Sequence, residues 1–176
     1  MNIVHLSQVQ CRAYAAELAN LLIDCVRDGT SVGFLASLGQ EEALAYWRSV
    51  EDAMRSGSRL LLVALDDAGP VGTVQLELCL KPNGVNRAEV QKLLVHTSAR
   101  RRGIAARLMA AAEELARSRQ RGLVYLDTEA GSPAEAFYHA QGYTCIGGLP
   151  EYACSPDGEW RANAIYYKTL FTRGAE

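Results

Sequence analysis

A strand, loop and helix pattern near the middle of the chain constrains the fold more than any other feature. The apolar segment at residues 88–95 is typical of a buried strand, and the loop that follows it carries three consecutive arginines. Over residues 103–118, Ile104, Leu108 and Leu115 recur at the spacing of one helical face. Another strand pattern follows this helix. The unit therefore predicts a right-handed crossover between two parallel strands.

The remaining periodicities extend this unit into one sheet with helices. They predict strands at residues 3–6, 60–65, 74–80, 123–128, 143–146 and 162–170, and helices from Ser7 to about Cys25, over residues 40–54 and over residues 133–141. Leu80 continues the apolar face of the third strand, and Ser132 with Glu135 has the spacing of a capping box. We expect an α/β (α+β) fold. It is a single domain over residues 1–176, with a central mixed and twisted β-sheet of six to seven strands and helices on both faces.

Composition excludes several other classes of protein. Hydrophobic residues make up 49% and charged residues 22%, and the apolar run at residues 60–65 is far too short to cross a membrane. The net charge of -2 provides no overall field for nucleic acid. The five cysteines lack CxxC spacing, the three histidines lack metal-ligand spacing, and the N-terminus does not resemble a secretory signal. We therefore expect a cytoplasmic location and no metal, membrane or nucleic-acid partner.

The arginine loop is the first candidate binding site. Arg100, Arg101 and Arg102 precede the helix at the end where its dipole is already positive. Because the first amides of a helix lack intrahelical partners, an oxygen-rich anion can bind there, and Gly103 would let it approach the backbone. Guanidinium groups add charge-assisted hydrogen bonds. The patterns GxxxxGK[ST] and GxGxxG with a later acidic residue do not occur, so this anion site is of another kind.

Motifs in this region resemble those of a known family. The segment "RRRGIA" fits the Gln/Arg-x-x-Gly-x-Gly/Ala signature of the GNAT N-acetyltransferases, and "VQKLLV" is similar to the strand before that signature. The segment "SPAEAFYHAQGY" resembles the family's second signature, although Gly131 stands where an Asn is common. The resemblance implies a GNAT-like fold and acetyl-CoA as the cosubstrate. It implies that the cofactor is bound by Leu93, Leu94, Val95, Arg100, Arg101, Arg102, Gly103, Ile104, Ala105, Ala106 and, in place of the Asn, Ser132.

Longer segments resemble a narrower group. The runs "KPNGVNRAEVQKLLV", "LDTEAGSPAEAFYHAQGY" and "LPEYACSPDGEWRANAIYYKTL" are similar to those of the tabtoxin-resistance acetyltransferases. Members of that group acetylate the amino group of a small β-lactam toxin. The resemblance implies a small-molecule amine as the acceptor, and toxin or antibiotic resistance as the outcome.

The chemistry of acetyl transfer selects the candidate catalytic residues. The acceptor ammonium must lose a proton, the oxyanion must be stabilised and the departing thiolate must gain a proton. Glu89, which opens the strand before the loop, and Asp127, at the end of the next parallel strand, are the two candidate bases, with Glu129 as a third carboxylate. The resemblance implies that Tyr138 donates the proton to the thiolate and that backbone amides at residues 93–95 stabilise the oxyanion.

Three functions remain open at this point. The first is N-acetylation of a small amine, the second is N-acetylation of a peptide or protein, and the third is a non-catalytic acyl-CoA-binding module. A short enclosed pocket near Tyr152 and Trp160 would favour the small molecule, whereas a long acidic groove would favour a peptide. Trp47 is another aromatic side chain that either lines such a pocket or packs in the core. The protein is expected to be a monomer or a homodimer.

Overall fold

The structure contains the β-strands that the sequence predicts, together with two short additional ones. The computed structural model describes residues 1–174. Within this range the strands are β1 (Asn2–His5), β2 (Arg59–Asp66), β3 (Gly69–Leu78), β4 (Arg87–Val95), β5 (Leu123–Glu129), β6 (Thr144–Gly147), β7 (Ala153–Cys154), β8 (Trp160–Arg161) and β9 (Asn163–Thr169). All seven predicted strands are present. The short strands β7 and β8 were not predicted, and they form a separate two-stranded sheet.

The helices differ from the prediction at the N-terminus. They are α1 (Gln8–Ala13), α2 (Ala15–Arg27), α3 (Gln40–Arg55), α4 (Ile104–Ser118) and α5 (Pro133–Ala140). The single helix predicted from Ser7 to about Cys25 is wrong, because the chain leaves regular helix at Tyr14, with φ -95° and ψ 11°. Ser7 does cap α1 through a capping box with Gln10.

The seven longer strands form one mixed sheet. Their order across the sheet is β1-β2-β3-β4-β5-β9-β6. β4 and β5 run parallel, as the crossover through α4 requires, and the other neighbours in this sheet run antiparallel. The predicted mixed sheet and its parallel pair are confirmed.

Helices cover both faces of this sheet, as predicted. Successive side chains of a strand point to opposite faces, so the apolar run of β2 serves two cores. Leu61 and Val63 pack with α1, α2 and α3, whereas Leu60 and Leu62 pack with α4 and the strands around it. Trp47 is 1% exposed and lies in the first of these cores, so the interpretation that it packs in the core is confirmed and the pocket alternative is wrong. Packing against α2 explains its position.

The sheet opens between β4 and β5, and this opening positions the site. The two strands pair only from Arg87 to Glu89, opposite Leu123 to Tyr125. Beyond this point β4 has a bulge, where Lys92 and Leu93 together oppose one residue of β3. The backbone of β4 from the bulge to Val95 is therefore not paired with β5. A cleft between the carboxyl ends of two parallel strands is where α/β sheets bind ligands.

Two smaller findings complete the fold. Leu80 is 56% exposed and lies beyond the end of β3, so its predicted place on the apolar face is wrong. After Leu78 the chain enters the loop before β4, so the alternation of buried and exposed side chains along β3 does not continue to Leu80. None of the helices in residues 1–174 has the length and apolar character needed to span a membrane.

Candidate active site

A groove of about 960 Å³ runs along the open side of β4. One wall is formed by the backbone of β4, the loop after it and the first turn of α4, and the other by the start of α5. The groove is lined by the following residues of the predicted cofactor set: Leu93, Leu94, Val95, Arg100, Arg101, Gly103, Ile104, Ala105, Ala106 and Ser132. Leu94 and Ile104 are buried in the two cores, so their side chains fix the backbone that faces the groove.

The N-terminus of α4 is the part of the groove that is suited to an anion. Gly103 is the N-cap residue, with φ 72°, and no side chain within residues 1–174 caps the helix. The N–H groups of Ile104, Ala105 and Ala106 are therefore left for an outside acceptor. A Cβ atom on Gly103 would meet no atom of the described chain within 4 Å, so the space above it is open. These features fit the binding of a diphosphate.

The three predicted arginines occupy different environments. Arg100 forms an ion pair with Asp28, which follows α2. Arg101 lines the groove and has φ 61°, in the left-handed region. Arg102 is exposed and does not line the groove.

Ser132 and Glu135 do not form the predicted capping box. Ser132 is the N-cap residue of α5, but its side chain makes no capping hydrogen bond. Glu135 instead accepts hydrogen bonds from the Gly131 N–H at 2.6 Å and from the Tyr166 hydroxyl at 2.5 Å. The Ser132 Oγ is buried without a partner in the described chain, and Ser132 is one of the residues that line the groove. A buried hydroxyl without a partner is costly, so this atom suits a polar group of a bound cofactor.

A second cavity, of about 330 Å³, adjoins the groove and contains the predicted catalytic residues. Its lining includes Glu89, Asp127, Glu129 and Tyr138. The two cavities share these residues: Thr30, Ser31, Leu93, Thr128, Glu129, Ala134 and Tyr138. The structure therefore places the two sets of sequence candidates in adjoining cavities, which meet at Leu93, Glu129 and Tyr138. Tyr152 lines the smaller cavity, while Trp160 is 66% exposed and lies outside it.

The three carboxylates differ in their hydrogen bonds. Glu89 accepts a hydrogen bond from the Tyr125 hydroxyl at 3.2 Å, and Glu129 accepts one from the Ser155 hydroxyl. Asp127 is exposed to the cavity, and no donor of residues 1–174 bonds its side chain. Asp127 is therefore the carboxylate with both oxygens available.

Tyr138 lies at the junction with its ring in the core. It is 8% exposed, packs against Phe137, Tyr143 and Tyr166, and lines both cavities. Burial, followed by the negative charge of Asp127, raises the pKa of the Tyr138 phenol to about 12. The phenol is therefore protonated at neutral pH and has a proton to donate.

Sequence reasoning missed several residues of the smaller cavity. Lys92, Arg161 and the segment of residues 30–33 line it, and none was a candidate. Periodicity does not identify them. The position of Lys92 is set by a bulge in β4, and the positions of the others are set by how loop segments fold over the sheet. Within residues 1–174 no cluster of three His, Cys, Asp or Glu side chains is arranged to bind a metal ion.

The sequence model of the Acetyltransferase (GNAT) family matches residues 16–143. This match covers more than half of the chain, and the chain belongs to the GNAT acetyltransferase family. It is an acetyl-CoA-dependent N-acetyltransferase of the GNAT type. The uncapped helix and the Ser132 hydroxyl, which has no partner among the described residues, are features of the groove that fit a cofactor with phosphate groups.

Solved structures of other proteins have the same fold. The ribosomal-protein-alanine N-acetyltransferase from Brucella melitensis is 23% identical, with 96% of this chain and 99% of that chain covered and a TM-score of 0.78. The structure of yncA, a putative acetyltransferase from Salmonella typhimurium, with its cofactor acetyl-CoA is 16% identical. The match covers 100% of this chain and 97% of that chain, with a TM-score of 0.78. An aminoglycoside 6'-N-acetyltransferase complexed with coenzyme A is 19% identical. The match covers 99% of this chain and 100% of that chain, with a TM-score of 0.75. At these identities the likeness confirms the predicted fold.

Proposed function

We propose that this enzyme transfers the acetyl group of acetyl-CoA to the amino group of a small molecule, by direct attack of the amine on the thioester. The observation that carries the proposal is the position of Tyr138, which lines both the groove and the adjoining cavity. An acceptor in the smaller cavity and a cofactor in the groove would meet beside this one phenol. Holding two reactants in contact is itself a large part of such catalysis.

The size of the smaller cavity supports a small acceptor. Its volume of about 330 Å³ equals roughly eleven waters at about 30 Å³ each, and it is within the usual range of small-molecule sites. The segment that carries β7 and β8 folds over the cavity and contacts the opposite side, where the Ala36 N–H donates to the Pro156 carbonyl at 3.0 Å. This covering segment favours a small molecule over an extended peptide, which remains the alternative acceptor.

The acceptor amine must lose a proton before it attacks. We assign Asp127 as the base, because its carboxylate has no donor of its own among residues 1–174, lines the smaller cavity together with Tyr138, and acts on the Tyr138 phenol through its charge. Glu89 is the second candidate, and its hydrogen bond from Tyr125 makes it a weaker acceptor. Either carboxylate can take the proton directly or through one water.

The remaining steps involve Tyr138 and the backbone of β4. When bound, acetyl-CoA supplies the thioester carbon that the amine attacks. The Tyr138 hydroxyl would donate a proton to the departing thiolate sulfur, and the second proton that the acceptor nitrogen loses as the amide forms would restore the phenol. Amides of β4 between Leu93 and Val95, which face the groove beyond the bulge, would hold the carbonyl oxygen as negative charge develops on it. No step requires a metal.

The identity of the amine is the finer part of the proposal. The resemblance to tabtoxin-resistance acetyltransferases supports a small toxin or antibiotic as the acceptor, including a β-lactam toxin. A cytoplasmic location and a monomeric or homodimeric state are further parts of the proposal. Aminoglycoside acetyltransferases among the structural neighbours are compatible with a resistance role. A non-catalytic acyl-CoA-binding module is the opposing interpretation, and the free Asp127 carboxylate beside Tyr138 argues against it.

A thiol-release assay tests the proposal. Acetyl-CoA and the purified protein are mixed with a panel of small amines and, separately, with peptides that carry free amines. We expect thiol release with at least one class of small amine and none with the peptides. Calorimetry with coenzyme A shows that the protein in the same preparation binds the cofactor. Coenzyme A binding without release on any amine would support the binding module instead.

A further inference from the structure

Lys92 lies at the bulge of β4 and lines the smaller cavity. Its φ of 49° is in the left-handed region, which is uncommon for a residue other than glycine. The Thr73 hydroxyl donates a hydrogen bond to the Lys92 carbonyl at 3.0 Å and holds this backbone in place. Bulges and strained residues of this kind occur next to functional sites, where they re-aim a side chain.

Two aromatic rings hold the Lys92 ammonium in position. Its Nζ lies 5.4 Å from the centre of the Tyr46 ring and 5.7 Å from that of Phe34, which is within the range of cation–π attraction. The two rings pack edge to face, with 5.3 Å between their centres. The Tyr46 hydroxyl also donates to the Gln75 side chain at 3.1 Å. The ammonium is therefore preorganised rather than free to swing into solvent.

No carboxylate of the described chain pairs with this ammonium. Ion pairs at up to 4.0 Å are found for Arg59 and Lys168, but none joins Lys92 to an Asp or Glu of residues 1–174. Arg161 is the other cation of the cavity lining, and it pairs with Asp157 and Glu159, each at 3.3 Å. The charge of Arg161 is already compensated, whereas that of Lys92 is available.

The environment of Lys92 favours an external anion. Burial lowers the pKa of its ammonium and the Arg59 cation lowers it further, while Glu89 and Asp127 act in the opposite direction. A partly buried cation without a close partner is unfavourable, and an anion placed against it would remove that cost. The cavity thus contains carboxylates for an amine and a cation that forms no ion pair with them, which is available for an anion.

We propose that the Lys92 ammonium binds an anionic group of the acceptor, so that the preferred substrates are small zwitterions that carry both an amine and a carboxylate. The inference rests on the proposed function, since it names the class of acceptor for that site. The amine faces Asp127 or Glu89, and the carboxylate faces Lys92. An acceptor with positive charges only would place a like charge against Lys92 and would be disfavoured.

Pairs of amines that differ in a single charge test this inference. Amino acids and their carboxamides have nearly the same shape, and they are assayed side by side by thiol release. Because the carboxylate also raises the pKa of the neighbouring ammonium, kcat/KM is expressed per concentration of unprotonated amine. We expect kcat/KM to be about 10- to 100-fold higher for the acids, the effect of one charge-assisted hydrogen bond. The Lys92→Met variant should make the two equal, and Lys92→Arg should retain part of the preference. In each variant the KM for acetyl-CoA should stay unchanged.

A matched control and a wild-type comparison keep the test decisive. Arg161→Met removes the other cation of the cavity and should leave the acid-to-amide ratio unchanged. Equal kcat/KM for acids and amides in the wild-type enzyme would overturn the inference while leaving the proposed function intact, and this comparison needs no variant to fold. If coenzyme A binds but neither acids, amides nor other amines are acetylated, the proposed function fails and the inference fails with it.

Discussion

The carboxylate of Asp24 accepts two hydrogen bonds from Thr97, one from the backbone N–H at 2.8 Å and one from the hydroxyl at 2.9 Å. Asp24 lies in the last turn of α2, where the helix dipole favours cations rather than carboxylates. Asp24 is therefore explained by its hydrogen bonds to Thr97 in the loop after β4, and not by any stabilisation of α2. One turn later Asp28 pairs with Arg100 of the same loop. The end of α2 thus supports the loop that leads from β4 into the anion-binding end of α4.

Replacing Asp24 should weaken both the fold and the cofactor site. Asp24→Ala leaves two donors of Thr97 without a partner, and we expect a loss of about 1–3 kcal/mol in the free energy of unfolding, measured with urea. Calorimetry should also show weaker binding of coenzyme A, because the loop is no longer fixed. Asp52→Ala is the control, since Asp52 is an exposed carboxylate that pairs with Arg55 on the surface of α3. Unchanged stability and affinity in Asp24→Ala would contradict this account.

Tyr138→Phe tests the proton donor. The variant removes one hydroxyl and keeps the ring in its aromatic contacts, so we expect little change in stability. The rate constant kcat should fall by about 100-fold or more, the usual contribution of a general acid, with an unchanged KM for acetyl-CoA. Because the pKa of Tyr138 is raised to about 12, the phenol keeps its proton below that pH. The wild-type rate should therefore show no alkaline decline caused by Tyr138 up to about pH 10.

Tyr143→Phe is the matched control for that variant. The ring of Tyr143 lies 5.9 Å from that of Tyr138, and Tyr143 lines neither cavity. The control should retain kcat. If Tyr138→Phe retained kcat as well, another group would have to supply the proton.

The two candidate bases can be separated by isosteric amides. Asp127→Asn should lower kcat/KM for the amine by about 100-fold, because the amide cannot take a proton. Glu89→Gln should lower it less, since Glu89 already accepts a hydrogen bond from Tyr125. Steady-state kinetics on one good amine measures both. A larger loss in Glu89→Gln than in Asp127→Asn would reverse the assignment.

Sequence patterns predicted the elements of the fold that are determined by hydrophobic periodicity and turn residues within one segment. The crossover from β4 through α4 to β5 follows from the strong periodicity and the short loop around Gly103. The break at Tyr14 was missed because the apolar spacing continues through it. Tertiary packing places Cys11 and Leu18 in the same core on separate helices, and no local signal records that.

Site residues that belong to a family motif could be predicted from the sequence. Site residues whose position depends on contacts with other strands or helices could not. The groove contains most of the residues that the family motifs indicated. Lys92 was missed because its orientation depends on the register between β3 and β4, which appears only when both strands are paired. Glu135 was expected to cap α5, but the Tyr166 hydroxyl is its partner instead. In each case a contact distant in sequence overrides the local pattern.

Gly103→Ala tests the anion site through the backbone. At φ 72° an alanine is strained by roughly 1 kcal/mol, and its methyl group would stand in the open space above the first amides of α4. Gly57→Ala is a close control, because Gly57 has φ 77°, its added methyl group would likewise meet no atom within 4 Å, and it lies away from both cavities. Both variants should lose similar stability on urea unfolding. Only Gly103→Ala should lose affinity for coenzyme A in calorimetry, since a diphosphate can no longer approach the amides. Equal affinity in the two variants would place the phosphates elsewhere.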